Sequence, residues 1–334
     1  MIAFRTRSLG YHARQIFQNG YAQIEDSDGR KSLLQPGQRR FVETVSRTVN
    51  LPSYLRRKAI GAYVAAKYPG LARIRDGYAM TTAAASASKR VIALCERQVA
   101  LYEAFVKQGP GALEKPTRSK YVKEARKDFE EAFLHIPFRY DPQIAGELAA
   151  FCLRPEFLSV VARYLGVLPV LAGVRIIFSP NETSDHLRYA QLFHVDPEGA
   201  RQVKLLMAVR KIDSQSGPFT FIPASATLRM RLSGKGKFER NRVADKYVLK
   251  HVRREKWVSF HGRPGDVLFV DTSNCYHFGS RPGAKPRLLL YAQFVDPFGS
   301  HLPAVRAPEV LASSWANLPP IPGRWSEYLL GRRI

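Results

Sequence analysis

Residues 263–295 read RPGDVLFVDTSNCYHFGSRPGAKPRLLLYAQFV. This stretch contains two runs of β-branched, aliphatic and aromatic residues, at 266–271 and 287–295, with turn-forming residues between them. Such runs are typical of strands joined by a loop. Similar short runs precede the stretch at 174–180, 203–209 and 219–223. Their spacing predicts an antiparallel β sandwich or barrel.

The sequence before residue 140 has a different, mainly helical character. Residues 78–108 are Ala-rich with apolar residues at helical spacing, and Gly109-Pro110-Gly111 ends that stretch. Further helices are predicted over 119–134 and 143–165. We therefore expect three regions: a mainly helical region at 1–140 packed on the core, a β domain at 141–300 with a basic insertion at 229–256, and a tail at 301–334.

The composition limits the class of protein. The chain has 334 residues, is 45% hydrophobic and carries a formal net charge of +24. It fits a folded globular protein, and no apolar run reaches the roughly 18 residues of a membrane-spanning helix. The start of the chain has no apolar stretch typical of a secretory signal, so we expect a cytoplasmic protein. Three scattered cysteines exclude a disulfide framework and a Cys-based zinc site.

The motif His194-Val195-Asp196 follows a short run, 189–193, that is interpreted as strand. Because strand side chains alternate, His194 and Asp196 would point to the same side and could present an imidazole and a carboxylate to one metal ion. The motif alone is weak. The alternative is a surface histidine beside an aspartate that starts a turn before Pro197.

His277, at the end of the β run introduced by Gly265-Asp266, could complete this group. Two histidines and one carboxylate form a facial triad, which occupies one face of an octahedral Fe(II) ion and leaves three positions open. A closed structural zinc site would leave none. The sequence therefore predicts a metal centre formed by His194, Asp196 and His277.

Arg287 begins the next β run, ten residues after His277. Alternation places it on one strand face with Leu289, Tyr291 and Gln293. Two interpretations remain open for a charged residue at this position. Arg287 could lie at the rim of the barrel or pair with a protein carboxylate, or its forked guanidinium could bind the distal carboxylate of a dicarboxylate ligand. Lys204 and Arg175 on neighbouring strands are the other candidates for that role.

The order of these features resembles the Fe(II)/2-oxoglutarate-dependent dioxygenases, and in particular the phytanoyl-CoA dioxygenase family. The resemblance rests on three segments: PEFLSVVARYLGVLPVLAGVRIIFSP, GPFTFIPASA and RPGDVLFVDTSNCYHFGSRPGAKPR. It covers about residues 143–295, roughly half of the chain. The chain departs from the family pattern at Ala224-Ser225-Ala226 and at Phe278-Gly279, which puts the identity of the substrate in doubt more than the metal ligands.

The resemblance implies a fold and a chemistry. The fold would be a double-stranded β-helix, a cupin-like jelly-roll of the α+β type, buttressed by N-terminal helices. His194, Asp196 and His277 would bind Fe(II), Arg287 would bind the co-substrate 2-oxoglutarate, and dioxygen would be the second co-substrate. The activity would be that of a hydroxylase or related oxidase. Relatives that halogenate carry a small residue in place of the carboxylate, so Asp196 favours hydroxylation.

The segment 229–256 contains eleven Lys or Arg residues against three acidic ones. As a long connection between core strands it could cover the barrel mouth and attract an anionic small-molecule substrate or one carried on CoA. The alternative is a solvated basic surface. A different function, nucleic-acid or anionic-surface binding on a jelly-roll scaffold, is the competing hypothesis. Against it, Gln293 occupies the position where nucleic-acid demethylating relatives carry a second arginine.

Overall fold

The computed structural model describes residues 36–108, 134–135, 142–179, 187, 189–196, 199–233, 242–279, 281, 283–299 and 326–329. These residues form a mixture of helices and two antiparallel sheets, one with six strands and one with three. This confirms the predicted combination of a β core with helices.

The strands are, in chain order, β1 (Tyr78–Thr82), β2 (Leu134–His135), β3 (Val170–Ser179), β4 (Gln202–Ala208), β5 (Thr220–Phe221), β6 (Val258–Ser259), β7 (Asp266–Val270), β8 (His277–Phe278) and β9 (Arg287–Val295). The helices are α1 (Pro36–Val49), α2 (Leu51–Lys67), α3 (Ala85–Gln108), α4 (Pro142–Cys152), α5 (Pro155–Leu165), α6 (Ala224–Ser233), α7 (Asp245–Val248) and α8 (Ser326–Leu329). Single turns of 3-10 helix occur at Tyr189–Gln191, Ser214–Ser216 and Arg254–Lys256.

The larger sheet has the strand order β1-β7-β4-β9-β3-β2. Strand β9 lies in its middle, with Arg287 opposite Ser179 of β3 and Tyr291 opposite Leu206 of β4. Eight of its nine residues are buried, so both faces of the strand are covered. This explains why β9 reads as a continuous apolar run rather than an alternating one.

Helices cover the outer face of the larger sheet. One apolar cluster joins Leu290 and Phe294 of β9 to Val91 of α3, Leu148 of α4 and Phe157 of α5. Alternation places the neighbouring residues of each strand on the opposite face. The helices thus remove the outer sheet face from water and leave the inner face for the second sheet.

The smaller sheet, with the order β6-β5-β8, packs on that inner face. A second apolar cluster contains Leu206 and Leu289 from the larger sheet together with Phe219, Phe221 and Phe260 from the region of the smaller one. The two sheets therefore face each other across an apolar interior. Such facing antiparallel sheets are the arrangement that the strand spacing predicts.

Several predicted boundaries differ from the structure. Residues 78–82 form strand β1 rather than the start of a helix, and they pair along their whole length with β7. The helix predicted over 143–165 is two helices, since Pro155 cannot continue the first one. Residues 189–191, interpreted as strand, are a 3-10 turn. Residues 119–133 and most of the tail at 301–334 lie outside the described residues.

The described part of the chain contains eight α-helices. None of its helices combines the length and the apolar character that crossing a bilayer requires.

Candidate metal centre

The two candidate histidines are neighbours across a backbone bridge. His194 donates its backbone N–H to the carbonyl of His277 over 2.9 Å, and His277 returns the same bond over 2.9 Å. The imidazole ring centroids are 4.3 Å apart. This mutual pairing brings together two residues that are far apart in the chain and fixes the spacing of their side chains.

Asp196 lies between the two imidazoles. Its Oδ1 is 3.7 Å from Nε2 of His194, and its Oδ2 is 3.6 Å from Nε2 of His277. Metal bonds to nitrogen and oxygen of about 2.0–2.2 Å can span two ligand atoms up to about 4 Å apart. Among the described residues, these three form a group that could hold a metal ion, with ligand atoms all within 4.8 Å of one another.

The outer nitrogen of each imidazole is held by a backbone carbonyl. Nδ1 of His194 lies 2.9 Å from the carbonyl oxygen of Leu192, and Nδ1 of His277 lies 3.0 Å from that of Cys275. A carbonyl only accepts, so each Nδ1 must carry the proton and donate it. The lone pair then resides on Nε2, the atom that faces Asp196. Metal-binding histidines are commonly oriented in this way.

The electrostatics keep the ligand atoms in the forms that bind metal. Burial, with the neighbouring His194, lowers the pKa of His277 to about 3, and burial also lowers the pKa of His194. Burial alone would raise the pKa of Asp196, but the Lys204 ammonium and the two imidazoles outweigh it and hold that pKa well below its usual value. At neutral pH the site therefore offers two neutral imidazoles and one carboxylate.

Lys204, which the sequence offers only as an alternative to Arg287, contacts the metal centre itself. It lies on β4, its ammonium donates to Oδ2 of Asp196, and it sits 5.5 Å from the ring centroid of Tyr291. Its side chain is 14% exposed. A metal ion in the triad would share the Asp196 carboxylate with this cation.

A buried aspartate organises the loop that leads into His277. Asp271 accepts hydrogen bonds from the hydroxyl of Tyr164 (2.6 Å) and from the side-chain amide of Asn274 (2.7 Å). The next residue, Thr272, accepts the backbone N–H of Asp196 over 2.9 Å. In the sequence Asp271 is only the last residue of the β run 266–271, but its contacts show that it supports the backbone at both sides of the site.

Helix α1 holds the other side of the Asp196 loop. The buried Arg39 guanidinium donates to the carbonyl of Asp196 (2.8 Å) and to that of Gly199 (3.4 Å). Glu43, one turn later, accepts the backbone N–H of Ala200 over 2.6 Å. The N-terminal region therefore contacts the site directly, although the family resemblance does not extend to it.

Glu43 provides a test of this contact through pH. Burial, with Asp296 nearby, raises the pKa of Glu43 from 4.5 to about 7, against the opposing influence of the Ala200 N–H and Arg47. A carboxyl with a raised pKa stabilises the fold below its unfolded pKa and loses that contribution as pH rises through its folded pKa. Glu43→Gln keeps an acceptor for Ala200 but cannot ionise. We expect it to gain stability relative to the native protein between pH 5 and 8, by at most about 3 kcal/mol.

The measurement is urea unfolding of both proteins at several pH values. Glu147→Gln is a matched control, because Glu147 is a helical glutamate whose partner, Arg90, is 74% exposed. A surface pair of this kind contributes at most about 1 kcal/mol. If the difference in unfolding free energy between Glu43→Gln and the native protein stays constant with pH, ionisation of Glu43 does not destabilise the fold.

Arg287 lies inside the sandwich rather than at its rim. It is 2% exposed, its Nη1 donates to the carbonyl of Gly217 (2.9 Å), and its Nη2 lies 3.4 Å from the hydroxyl of Ser179. Burial lowers its pKa to about 10, so it stays charged at neutral pH, and among the described residues no carboxylate offsets that burial. Its Nε is buried without a hydrogen-bond partner. A buried cation without a described counter-charge is a candidate to bind an anionic ligand.

The chain segment whose Gly217 carbonyl accepts a hydrogen bond from Arg287 also contacts the metal centre. Gly217 precedes Phe219, whose ring centroid lies 5.2 Å from that of His277. The β8–β9 loop reaches this segment at Gly283, where a Cβ atom would come within 2.5 Å of the carbonyl oxygen of Gln215. Only glycine permits this approach, which returns β9 to the interior with Arg287 at its first position.

Arg175, His261 and Cys275 do not join the group. Arg175 is exposed on β3, and His261 is exposed before β7. Cys275 is buried with its pKa raised well above the usual value by burial, so it is an unreactive thiol. His186 lies outside the described residues.

Comparisons with known proteins found likeness only at the level of structure. No protein-family model and no curated protein sequence matches the chain. AviO1 from Streptomyces viridochromogenes Tue57 aligns with a TM-score of 0.41 and 16% identity, covering 71% of this chain and 96% of that one.

Two further solved structures align at a similar level. The epimerase SnoN, solved with Fe3+, alpha ketoglutarate and nogalamycin RO, aligns with a TM-score of 0.39 and 17% identity, covering 71% of this chain and 84% of that one. EctD from S. alaskensis, solved with 2-oxoglutarate and 5-hydroxyectoine, aligns with a TM-score of 0.40 and 15% identity, covering 67% of this chain and 76% of that one. At TM-scores below 0.5 these likenesses do not assign an activity to the chain.

Proposed function

We propose that this chain is an Fe(II)- and 2-oxoglutarate-dependent oxygenase of the jelly-roll fold that hydroxylates, or otherwise oxidises, a small organic substrate. One observation carries the proposal. A His-Asp-His group with both Nε2 atoms directed at the carboxylate shares the interior of two facing sheets with a buried arginine that no described carboxylate neutralises. A metal ion and a dicarboxylate together would satisfy both features.

Each residue has a defined part in this proposal. His194, Asp196 and His277 would hold the metal through Nε2, a carboxylate oxygen and Nε2, and leave three positions open. Arg287 would bind the distal carboxylate of 2-oxoglutarate with its guanidinium. When bound, the iron and 2-oxoglutarate supply the oxidising chemistry with dioxygen, and 2-oxoglutarate is converted to succinate and CO2. The chain itself supplies orientation and an apolar interior that excludes water.

Within this class, motif order and flanking segments support a placement near the phytanoyl-CoA dioxygenases. The carboxylate at Asp196 supports hydroxylation over halogenation, because it occupies the position that a halide would need. We further propose that 141–300 is the catalytic domain, with the helices of 1–140 as its support. Strand β1, from the N-terminal region, completes the larger sheet of that domain.

Two arginines in the described part of the basic segment argue against the competing nucleic-acid hypothesis. Arg254 lies 5.1 Å from the ring centroid of Trp257 and 3.9 Å from Asp245. Arg231 lies 5.8 Å from the ring centroid of Tyr276. These described cations contact the protein itself, which favours a structural role over a continuous nucleic-acid surface.

The test is calorimetric titration of metal-free protein, first with Mn(II) and then with 2-oxoglutarate. We expect 2-oxoglutarate to bind only to the Mn(II)-loaded protein, because its keto acid end requires the metal and its distal end requires Arg287. Glutarate, which lacks the keto group, is the control ligand. Its affinity for the Mn(II)-loaded protein should be lower than that of 2-oxoglutarate by at least about tenfold. Metal-independent binding of 2-oxoglutarate, or none at all, would contradict the proposal.

A further inference from the structure

Arg242 lies directly across from the first candidate metal ligand. Phe193 and Val243 exchange two backbone hydrogen bonds, of 3.1 and 2.8 Å, in an antiparallel bridge. In an antiparallel pair, the residue after one partner faces the residue before the other. Arg242 is therefore opposite His194, and directly opposite residues project their side chains to the same face.

That face is the one occupied by the metal centre. Phe193 and Val243 both pack into an apolar cluster with Phe278, on the side away from the ligands. His194 alternates with Phe193 and points to Asp196. By the same alternation Arg242 is directed away from the apolar cluster.

The backbone carrying Arg242 is fixed in place although the residue itself is exposed. Arg281 donates two hydrogen bonds to the Asp245 carboxylate, of 2.8 and 2.6 Å, and a third to the carbonyl of Gln191 over 3.0 Å. These bonds link the segment after Arg242 to the segment before His194. Arg242 is exposed, so a guanidinium on the same face as His194 can be reached from solvent.

We propose that Arg242 is a specificity-determining residue that binds a carboxylate or phosphate group of the substrate and so places the adjacent carbon chain at the open side of the metal. This inference rests on the proposed oxygenase function and names the substrate class. A guanidinium matches both anions with two parallel hydrogen bonds. Arg254 of the same basic segment is placed differently, because it contacts Trp257, which packs against the apolar cluster on the opposite side.

The experiment uses the bound Mn(II) ion as a paramagnetic probe of distance. Protein loaded with Mn(II) and saturated with 2-oxoglutarate is mixed with n-butyl phosphate, butyrate or neutral n-butanol, and the nuclear relaxation of each compound is compared with that in a Mg(II) background. For at least one anion, we expect the Mn(II)-induced increase in relaxation rate to be about tenfold larger with the native protein than with Arg242→Gln. This is the loss of affinity expected when a charge-assisted hydrogen bond is removed. Butanol should be relaxed weakly by both proteins.

The control variant is Arg253→Gln, which removes an exposed arginine of the same basic segment. It should relax the anions as the native protein does. The anion with the larger Arg242-dependent effect identifies the substrate group as phosphate or carboxylate. Since Arg242 is exposed, both variants should fold, and thermal unfolding verifies this.

Three results would overturn the inference. Relaxation that persists in Arg242→Gln would mean that the anion binds the metal or another site. An equal loss in Arg253→Gln would mean diffuse attraction to a basic surface, and no anion relaxation in the native protein would mean that no anion site adjoins the metal. Failure of the oxygenase proposal is seen separately, since Mn(II) and 2-oxoglutarate would then fail to bind before any probe is added.

Discussion

Replacing Asp196 with alanine is expected to reduce Mn(II) affinity by about 100-fold or more, because loss of a residue that only supports a metal ligand already costs about 10–100-fold. The carboxylate supplies the negative charge of the three-ligand group, and the two imidazoles are neutral at pH 7. Its removal also leaves the Lys204 ammonium facing the place where a dication would bind. Calorimetric titration of metal-free protein with Mn(II) measures the change.

Loss of folding has to be separated from loss of the ligand. Asp196→Ala alone removes the carboxylate that pairs with the buried Lys204 ammonium, and breaking a buried ion pair costs about 3–5 kcal/mol of stability. The double variant Asp196→Ala/Lys204→Met removes both charges and should recover most of that stability while still failing to bind Mn(II). Asp266→Asn changes an aspartate that bonds Thr82 and the Arg263 backbone instead, and should bind Mn(II) normally. A double variant that keeps native affinity would exclude Asp196 as a ligand.

The strands of the core were predictable because their signals are local. The apolar runs at 203–209, 266–271 and 287–295 correspond to β4, β7 and β9 within a few residues. Each run is bounded by turn residues, and burial on both faces requires nearly every position to be apolar. Pairing partners and strand order were not predictable, since they depend on contacts between runs far apart in the chain.

Strand β1 shows how tertiary pairing overrides a local pattern. Its sequence, YAMTT, adjoins an Ala-rich stretch and was interpreted as part of a helix. In the structure Tyr78 lies opposite Val270, and each following residue pairs with β7 in register. An edge strand gains its hydrogen bonds from a neighbour that its own sequence does not reveal.

The three candidate metal ligands could be predicted from the sequence, but the residues that contact them could not. The spacing of His194 and Asp196, and the position of His277 at a strand end, are visible in the sequence. Arg39 contacts Asp196 across 157 residues of chain, and no pattern near either residue indicates the contact. Lys204 could be considered as an anion ligand from its strand position, but its bond to Asp196 depends on how the two sheets face each other.

Replacing Arg287 with alanine is expected to leave Mn(II) affinity unchanged and to weaken 2-oxoglutarate binding by about 100-fold, the scale of losing a buried charge-assisted pair. The guanidinium is 2% exposed and makes its described hydrogen bonds to a carbonyl and a hydroxyl, neither of which neutralises its charge. Titration of the Mn(II)-loaded variant with 2-oxoglutarate gives the affinity. Arg175→Ala is the matched control, because Arg175 lies exposed on the neighbouring strand and should have no effect.

A second ligand tests whether Arg287 binds the distal carboxylate itself. 2-Oxopentanoate has the carbon chain of 2-oxoglutarate but a methyl group in place of the distal carboxylate. If Arg287 binds that carboxylate, Arg287→Ala should weaken 2-oxoglutarate strongly and 2-oxopentanoate hardly at all, since the coupling between two groups in contact is lost with either one. Equal weakening of both ligands would mean that the variant disturbs the site as a whole. If the affinity of neither ligand falls in Arg287→Ala, the distal carboxylate binds elsewhere. Lys204 is then the candidate, because its ammonium already lies beside the metal ligands.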